Sequence, residues 1–116
     1  MYVLDAGRLT KRIEIWGYCD RETELGSRKV ELTKKAEVWA DMHPVRGTEF
    51  LEYYRDANAL QYKITIRYRP GITEKDVLVR GKRQFEINSI INVNEENVAL
   101  EIYCTETKDK VIAKNG

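Results

Sequence analysis

The chain has 116 residues, of which 20 are Lys or Arg and 19 are Asp or Glu, so its net charge is +1. That length suits one domain, which can bury about two-thirds of its unfolded surface without metals or disulfides. A charged fraction of 34% implies a heavily charged surface, and the balance of signs argues against disorder by self-repulsion and against a dominant polyanion-binding footprint.

The first residues, Met1-Tyr2-Val3-Leu4-Asp5, are too short and too acidic to read as a secretory signal. Apolar runs reach only three or four residues, so the sequence predicts no membrane span and no membrane partner. The first strand signal is Arg12 to Tyr18, with Ile13 and Ile15 on one face and Trp16 on the other. Asp20 to Lys29 is polar, contains Gly26 and reads as a long loop. Ala36, Val38, Ala40 and Met42 then alternate with Glu37, Trp39, Asp41 and His43, the pattern of a half-buried strand.

Gly47 to Ala57 breaks the β rhythm. Thr48 can cap a helix of two or three turns, Glu49 suits its first turn, and Phe50, Leu51 and Tyr54 share one face. The strongest strand signal follows, from Leu60 to Arg69. Leu60, Tyr62, Ile64, Ile66 and Tyr68 face one way; Gln61, Lys63, Thr65, Arg67 and Arg69 face the other, read as wet. Pro70-Gly71 ends it, since Pro cannot donate to a ladder. Asp76 to Arg80 and a return strand with Phe85, Ile87 and Ile90 or Ile91 flank the short Arg80-Gly81-Lys82-Arg83 link of a hairpin. Asn94-Glu95-Glu96-Asn97 is a polar turn, after which Val98, Leu100, Ile102 and Cys104 alternate with Ala99, Glu101, Tyr103 and Thr105. From Lys108 the tail is polar and expected to fray. The expected fold is mainly β: a small antiparallel, partly closed β-barrel with long loops and one short helix, comprising one domain over residues 1–107 and a polar tail over 108–116.

The search for chemistry is nearly empty. His43 is the only histidine, and Cys19 and Cys104 lack metal-ligand spacing, so neither a metal site nor any cofactor is expected. The cysteines are read as reduced thiols rather than a disulfide, Cys104 on the apolar side of its strand and Cys19 beside a polar loop. Gly7-Arg8-Leu9-Thr10-Lys11 holds a single Gly and is no phosphate loop. Glu49 and Glu52, one helical turn apart, read as a solvated face rather than a hydrolytic pair. No catalytic residue is assigned. Lys63, Arg67 and Arg69 share a strand face, with Arg80, Lys82 and Arg83 as candidates to join them. Single-strand binders combine cations with stacking rings, whereas period two places Tyr62 and Tyr68 opposite these cations. The remaining readings are a mixed-charge wet face and a subunit interface in a head-to-tail ring.

Five ordered blocks carry a family resemblance. They are Asp5-Ala6-Gly7-Arg8-Leu9 with Arg12-Ile13-Glu14-Ile15; Val38-Trp39-Ala40 with Pro44-Val45-Arg46-Gly47-Thr48-Glu49; Ile64-Thr65-Ile66-Arg67-Tyr68-Arg69-Pro70-Gly71-Ile72; Gly81 with Phe85-Glu86-Ile87-Asn88-Ser89-Ile90; and Leu100-Glu101-Ile102-Tyr103-Cys104-Thr105-Glu106. Together they span residues 5–106 and resemble the tailed-phage head–tail joining family, the head-closure and adaptor proteins of the virion neck. Two positions depart from its pattern: Leu32 stands where a Trp is frequent, and Asp76 where a basic residue is frequent.

The resemblance implies a β-barrel without catalysis that forms a ring beneath the portal and joins or seals the DNA-filled head. It implies location at the head–tail interface of the virion, with assembly in the host cytoplasm. The implied partners are the portal or an adaptor, tail or neck proteins, and further copies of the chain in a homo-oligomeric ring. DNA in the channel lumen is a further contact open to such a ring. The charged surface agrees with a monomer in isolation. The long Pro44–Ala59 excursion and the wet strand face make Arg46, Glu49, Glu52, Arg55, Lys63, Arg67 and Arg69 the interface candidates. A single-strand-binding barrel and a tail-terminating neck protein are the alternatives.

Overall fold

A computed structural model describes residues 1–22, 24–45 and 61–107. Six strands make up the fold: β1 (Lys11–Glu22), β2 (Arg28–Pro44), β3 (Gln61–Arg67), β4 (Val77–Arg80), β5 (Arg83–Asn92) and β6 (Ala99–Thr107). All neighbours are antiparallel, and the sheet closes completely in the order β1-β2-β3-β6-β5-β4. Short 3-10 turns lie at Ala6–Arg8 and Val93–Glu95. The helix expected over Gly47–Ala57 falls outside the described residues.

Alternation fills the barrel as the sequence requires. Ile13 and Ile15 from β1, Ala40 from β2, Ile64 and Ile66 from β3, Leu78 from β4, Phe85 and Ile87 from β5, and Leu100, Ile102 and Cys104 from β6 form one buried cluster. Ala36, Val38, Met42, Tyr62, Ile72 and Ile90 pack against its rim. Tyr62 meets Phe85 edge-on, with ring centroids 5.5 Å apart, an arrangement that suits the ring quadrupoles.

One hairpin and one loop turn where their polar residues indicate. Gly81, at φ 61°, takes the left-handed conformation between β4 and β5. Before β6, Asn94, Glu95 and Asn97 all have positive φ. The Asn92 side chain braces that loop, accepting from the Asn97 backbone N–H at 3.1 Å and donating to Asn97 Oδ1 at 2.7 Å.

The stretch Asp20 to Lys29, expected as a loop, is instead the tip of a long hairpin. β1 and β2 stay paired to Glu22↔Arg28, so that residues 23–27 alone link them. Beyond Trp16 the end of β1 pairs with β2 alone, because β4 meets β1 only over Glu14↔Val79, Ile15↔Leu78 and Trp16↔Val77. β3 in turn meets β2 only from Ala40 to Pro44. Gly17–Glu22 and Arg28–Lys34 therefore form a two-stranded arm that projects from the barrel wall. A register shift opposite Ile15/Trp16 leaves Lys35 as the extra residue at the base of the arm.

That base is clamped. Lys35 Nζ donates to Asp76 Oδ2 at 2.8 Å and to the Gly71 carbonyl, and the Thr73 N–H donates to the same Asp76 oxygen at 3.0 Å. Asp76 is 5% exposed. The clamp lies over Gly17, where a Cβ would come within 2.4 Å of Lys35 Cδ and 2.8 Å of Asp76 Oδ1.

Gln61 and Thr65, expected on a wet face, are both buried. Gln61 Oε1 accepts from Thr105 Oγ1 at 2.6 Å and from Asn88 Nδ2 at 3.3 Å. Asn88 is the residue displaced by the β5 bulge between Ile87 and Ser89. Thr65 lies beneath the N-terminal segment, which crosses the outer wall and is tied by the Tyr2 N–H to Glu96 Oε2 at 3.0 Å. Alternation thus chose the correct faces, but neighbouring elements cover part of the outer one.

Replacing Ile66, 1% exposed in the centre of the barrel, by Ala should cost about 2–5 kcal/mol in chemical denaturation; an unchanged midpoint would place it outside the core. Asp76→Ala should cost about 1–3 kcal/mol, from the loss of charge-assisted bonds. A larger loss is not expected, because Lys35, with 36% of its side chain exposed, can rehydrate.

Candidate functional site

The outer wall beside β2 and β3 gathers the chemistry-bearing side chains. Trp39 stands outward and is 52% exposed. Across the β1–β2 ladder its partner Arg12 places its guanidinium 5.0 Å from the indole centroid, within cation–π range. Arg12 Nε also donates to Glu37 Oε1 at 2.8 Å, and Lys34 Nζ donates to Glu37 Oε2 at 3.1 Å. These two cations, Arg12 foremost, hold the Glu37 carboxyl below its ordinary pKa.

The three described interface candidates divide between two recesses. Lys63 is half-buried, 3.8 Å from Glu101 across β3 and β6, in a recess of about 220 Å³ that also holds Asp41, His43, Thr65 and the N-terminal segment. His43 is exposed there, with Nε2 2.9 Å from Asp41 Oδ1. Arg67 and Arg69 instead line a recess of about 250 Å³ with Leu9, Val38, Trp39 and Tyr68. Neither of these arginines is in an ion pair with a described side chain. Arg46, Glu49, Glu52 and Arg55 lie outside the described residues.

The expected separation of rings from cations therefore fails at this recess. β3 ends at Arg67, so strict alternation does not govern Tyr68, whose N–H donates to the Val98 carbonyl at 3.0 Å. Tyr68 is 38% exposed beside Arg67 and Arg69. Trp39 comes from the neighbouring strand, a proximity that a single-strand pattern does not reveal.

Arg83 does not join this group. It grips Glu106 through two bonds, Nε to Oε2 at 3.2 Å and Nη2 to Oε1 at 3.0 Å. It also lies 5.2 Å from both the Tyr62 and Phe85 ring centroids. The Glu106 bond raises its pKa further, which fixes it as a structural cation at the barrel end.

Among the described residues no group of three or more His, Cys, Asp or Glu is placed to hold a metal ion. The two cysteines are free, Cys19 exposed on the arm and Cys104 buried in the core. Burial pushes the Cys104 thiol up to about 12, so it stays protonated where an ordinary thiol near pH 8.5 would ionise. The arrangement offers a rigid wall with an Arg- and aromatic-rich recess and a projecting arm, features suited to holding a partner.

A family model described as phage head completion protein matches residues 4–107. Two solved structures share the fold. The solution structure of protein SF1141 from Shigella flexneri 2a has 22% identity and a TM-score of 0.73, over 92% of this chain and 100% of that one. A chain in the virion of a native gene transfer agent particle has 17% identity and a TM-score of 0.63, over 86% of this chain and 96% of that one. No curated protein matches the chain.

Alkylation of native protein near pH 8 should label Cys19 within minutes and leave Cys104 untouched until denaturant is added, whereupon both react without reductant. Mass spectrometry reads the number of labels. Equal native reactivity, or a pair unlabelled after denaturation, would contradict the burial and redox assignments.

Proposed function

The chain belongs to the phage head completion protein family, and from that premise we propose that it is a non-catalytic connector of the virion neck, which forms a ring beneath the portal and seals or joins the DNA-filled head. Membership makes it a structural component of the phage virion that meets other virion components. The finer reading concerns what it touches and how.

The observation that carries the proposal is the pairing of a closed barrel with an outer wall rich in exposed Trp, Tyr and Arg. Closure removes the barrel's sheet edges that would invite uncontrolled stacking and leaves open edges only along the two-stranded arm, so on the barrel wall association is left to side-chain patches. Those patches have interface composition: Trp, Tyr and Arg dominate protein–protein hot spots. The near-zero net charge lets copies approach one another. The interface set in this reading is Arg46, Glu49, Glu52, Arg55, Lys63, Arg67 and Arg69. Its partners are the portal or an adaptor above and tail or neck proteins below. The domain comprises residues 1–107, followed by a tail over 108–116. Isolated copies are mainly monomeric or weakly associated, and docking on the portal raises their local concentration enough to close the ring.

A second reading has a specific observation behind it, since cations and rings do meet at Arg67, Arg69, Tyr68 and Trp39. A single-strand-binding barrel would use such a patch for stacking and backbone contact.

Addition of purified protein to DNA-filled, portal-bearing heads that lack it should restore DNA retention and tail attachment, and labelled single strands should show no tight, salt-sensitive shift. Tight single-strand binding without head completion would favour the second reading. The double variant Glu49→Lys/Glu52→Lys should melt like the parent, because the sequence pattern reads this pair as a solvated face and such charges contribute little to stability. It should nevertheless fail to complete heads, because like charges at an interface repel. Parental completion by this folded variant would remove the excursion from the joining surface.

A further inference from the structure

The projecting arm has one unpartnered outer face. Directly opposed residues of an antiparallel ladder lie on the same face, and the pairs Tyr18↔Leu32 and Asp20↔Val30, followed by Glu22, set that face. Tyr18 and Val30 are 55% and 60% exposed. Neither Asp20 nor Glu22 is in an ion pair with a described side chain. Cys19 and Glu31 lie on the opposite face, where Lys29 pairs with Glu31 at 3.4 Å. The arm thus offers an apolar stripe beside Asp20 and Glu22, with Arg28 directly opposite Glu22 in the ladder. A two-stranded ribbon is marginal in water by itself, so this face gains most from a second surface.

The recess at Trp39 is its chemical complement. It presents Leu9, Val38, Trp39 and Tyr68 as apolar and aromatic area, with Arg67 and Arg69 as cations that have no ion-pair partner among the described residues. Arg12, stacked on Trp39, and Asp20 both belong to β1. Their separation along an extended strand is about 27 Å, at about 3.4 Å per residue. The ribbon that carries both surfaces holds them apart, so they cannot meet within one molecule.

We infer that the arm face of one copy docks on the Trp39–Arg67–Arg69 recess of the next. Tyr18 and Val30 cover the aromatic floor, and Asp20 and Glu22 engage the two arginines. Because the two surfaces differ and lie at different places on the chain, the contact is heterologous and propagates head to tail, as ring closure requires. The inference deepens the connector reading and rests on it for the role of the contact, whereas the contact itself is testable on the isolated chain.

Equal amounts of isotope-labelled and unlabelled Arg67→Lys/Arg69→Lys protein, concentrated and treated with a carbodiimide, supply that test. The reagent joins carboxylates to amines only at contact distance. The expected products are mixed-isotope links from Asp20 or Glu22 to positions 67 and 69, in ladders of three or more copies. Same-isotope links alone, no such link, or a ladder ending at two copies would overturn the inference. In the head-completion assay, Asp20→Lys/Glu22→Lys and Arg67→Glu/Arg69→Glu should each reduce completion at least about tenfold through like-charge contact, and the four substitutions combined in one chain should restore it. No rescue by a folded combined variant would overturn the inference. Normal head completion without the cross-link would sink the arm contact and leave the connector reading intact; cross-links in the lysine variant, with a parental protein that cannot complete heads, would do the reverse.

Discussion

The structure depends on a short closing seam. Only three residue pairs join β4 to β1, far fewer than join β1 to β2 or β5 to β6. Closure at so short a seam is reinforced by polar groups at its margin. Asp76 enters β4 beside the base of the arm, Lys35 reaches it from the β2 bulge, and Gly17 supplies the space in which they meet. A side chain at position 17 would compete for that space, and a strictly regular β2 would lack the extra residue that brings Lys35 to the seam.

The same seam determines what the molecule can present to others. Since β4 is four residues long and β1 is twelve, part of the first hairpin has no place in the barrel wall and projects. The barrel then serves as a rigid base, its apolar side chains consumed in one core and its sheet edges closed. The polar network of Gln61, Asn88 and Thr105 fixes the outside of the wall locally, and the Arg83–Glu106 grip fixes one end of the barrel. The charges named on the arm and at the Trp39 recess, which have no ion-pair partner among the described residues, are left for association. The proposed connector role draws on this division between a rigid body and surfaces left for partners.

The core was legible because alternation is a strong signal wherever one strand face meets a common interior. Ile13 and Ile15, Ile64 and Ile66, and Leu100, Ile102 and Cys104 all read correctly from spacing alone. The arm was not legible, for the same reason. Residues 18–32 face no core, so their strands carry no inward apolar register, and a polar run with Gly26 looks like a loop. Gln61 and Thr65 were misread because the groups that cover them, Asn88 and the N-terminal segment, lie far away in sequence. The cluster of Trp39, Arg67, Tyr68 and Arg69 joins adjacent strands just past the end of one of them, where period two ceases to hold. Asp76, visible in the sequence only as a departure from a family pattern, gains its meaning from Lys35 across the seam.

The central claim is that the seam divides β1 into a half built into the barrel and a half that waits for a neighbouring copy. Residue-resolved hydrogen exchange measures this directly. In the isolated chain, amides that pair within the barrel between Ile13 and Trp16 should be strongly protected, and those between Tyr18 and Glu22 should exchange orders of magnitude faster. On portal-bearing heads the second group should become protected while the first is unchanged. Uniform protection along β1 in the isolated chain, or an arm whose exchange is unaltered on heads, would contradict the account.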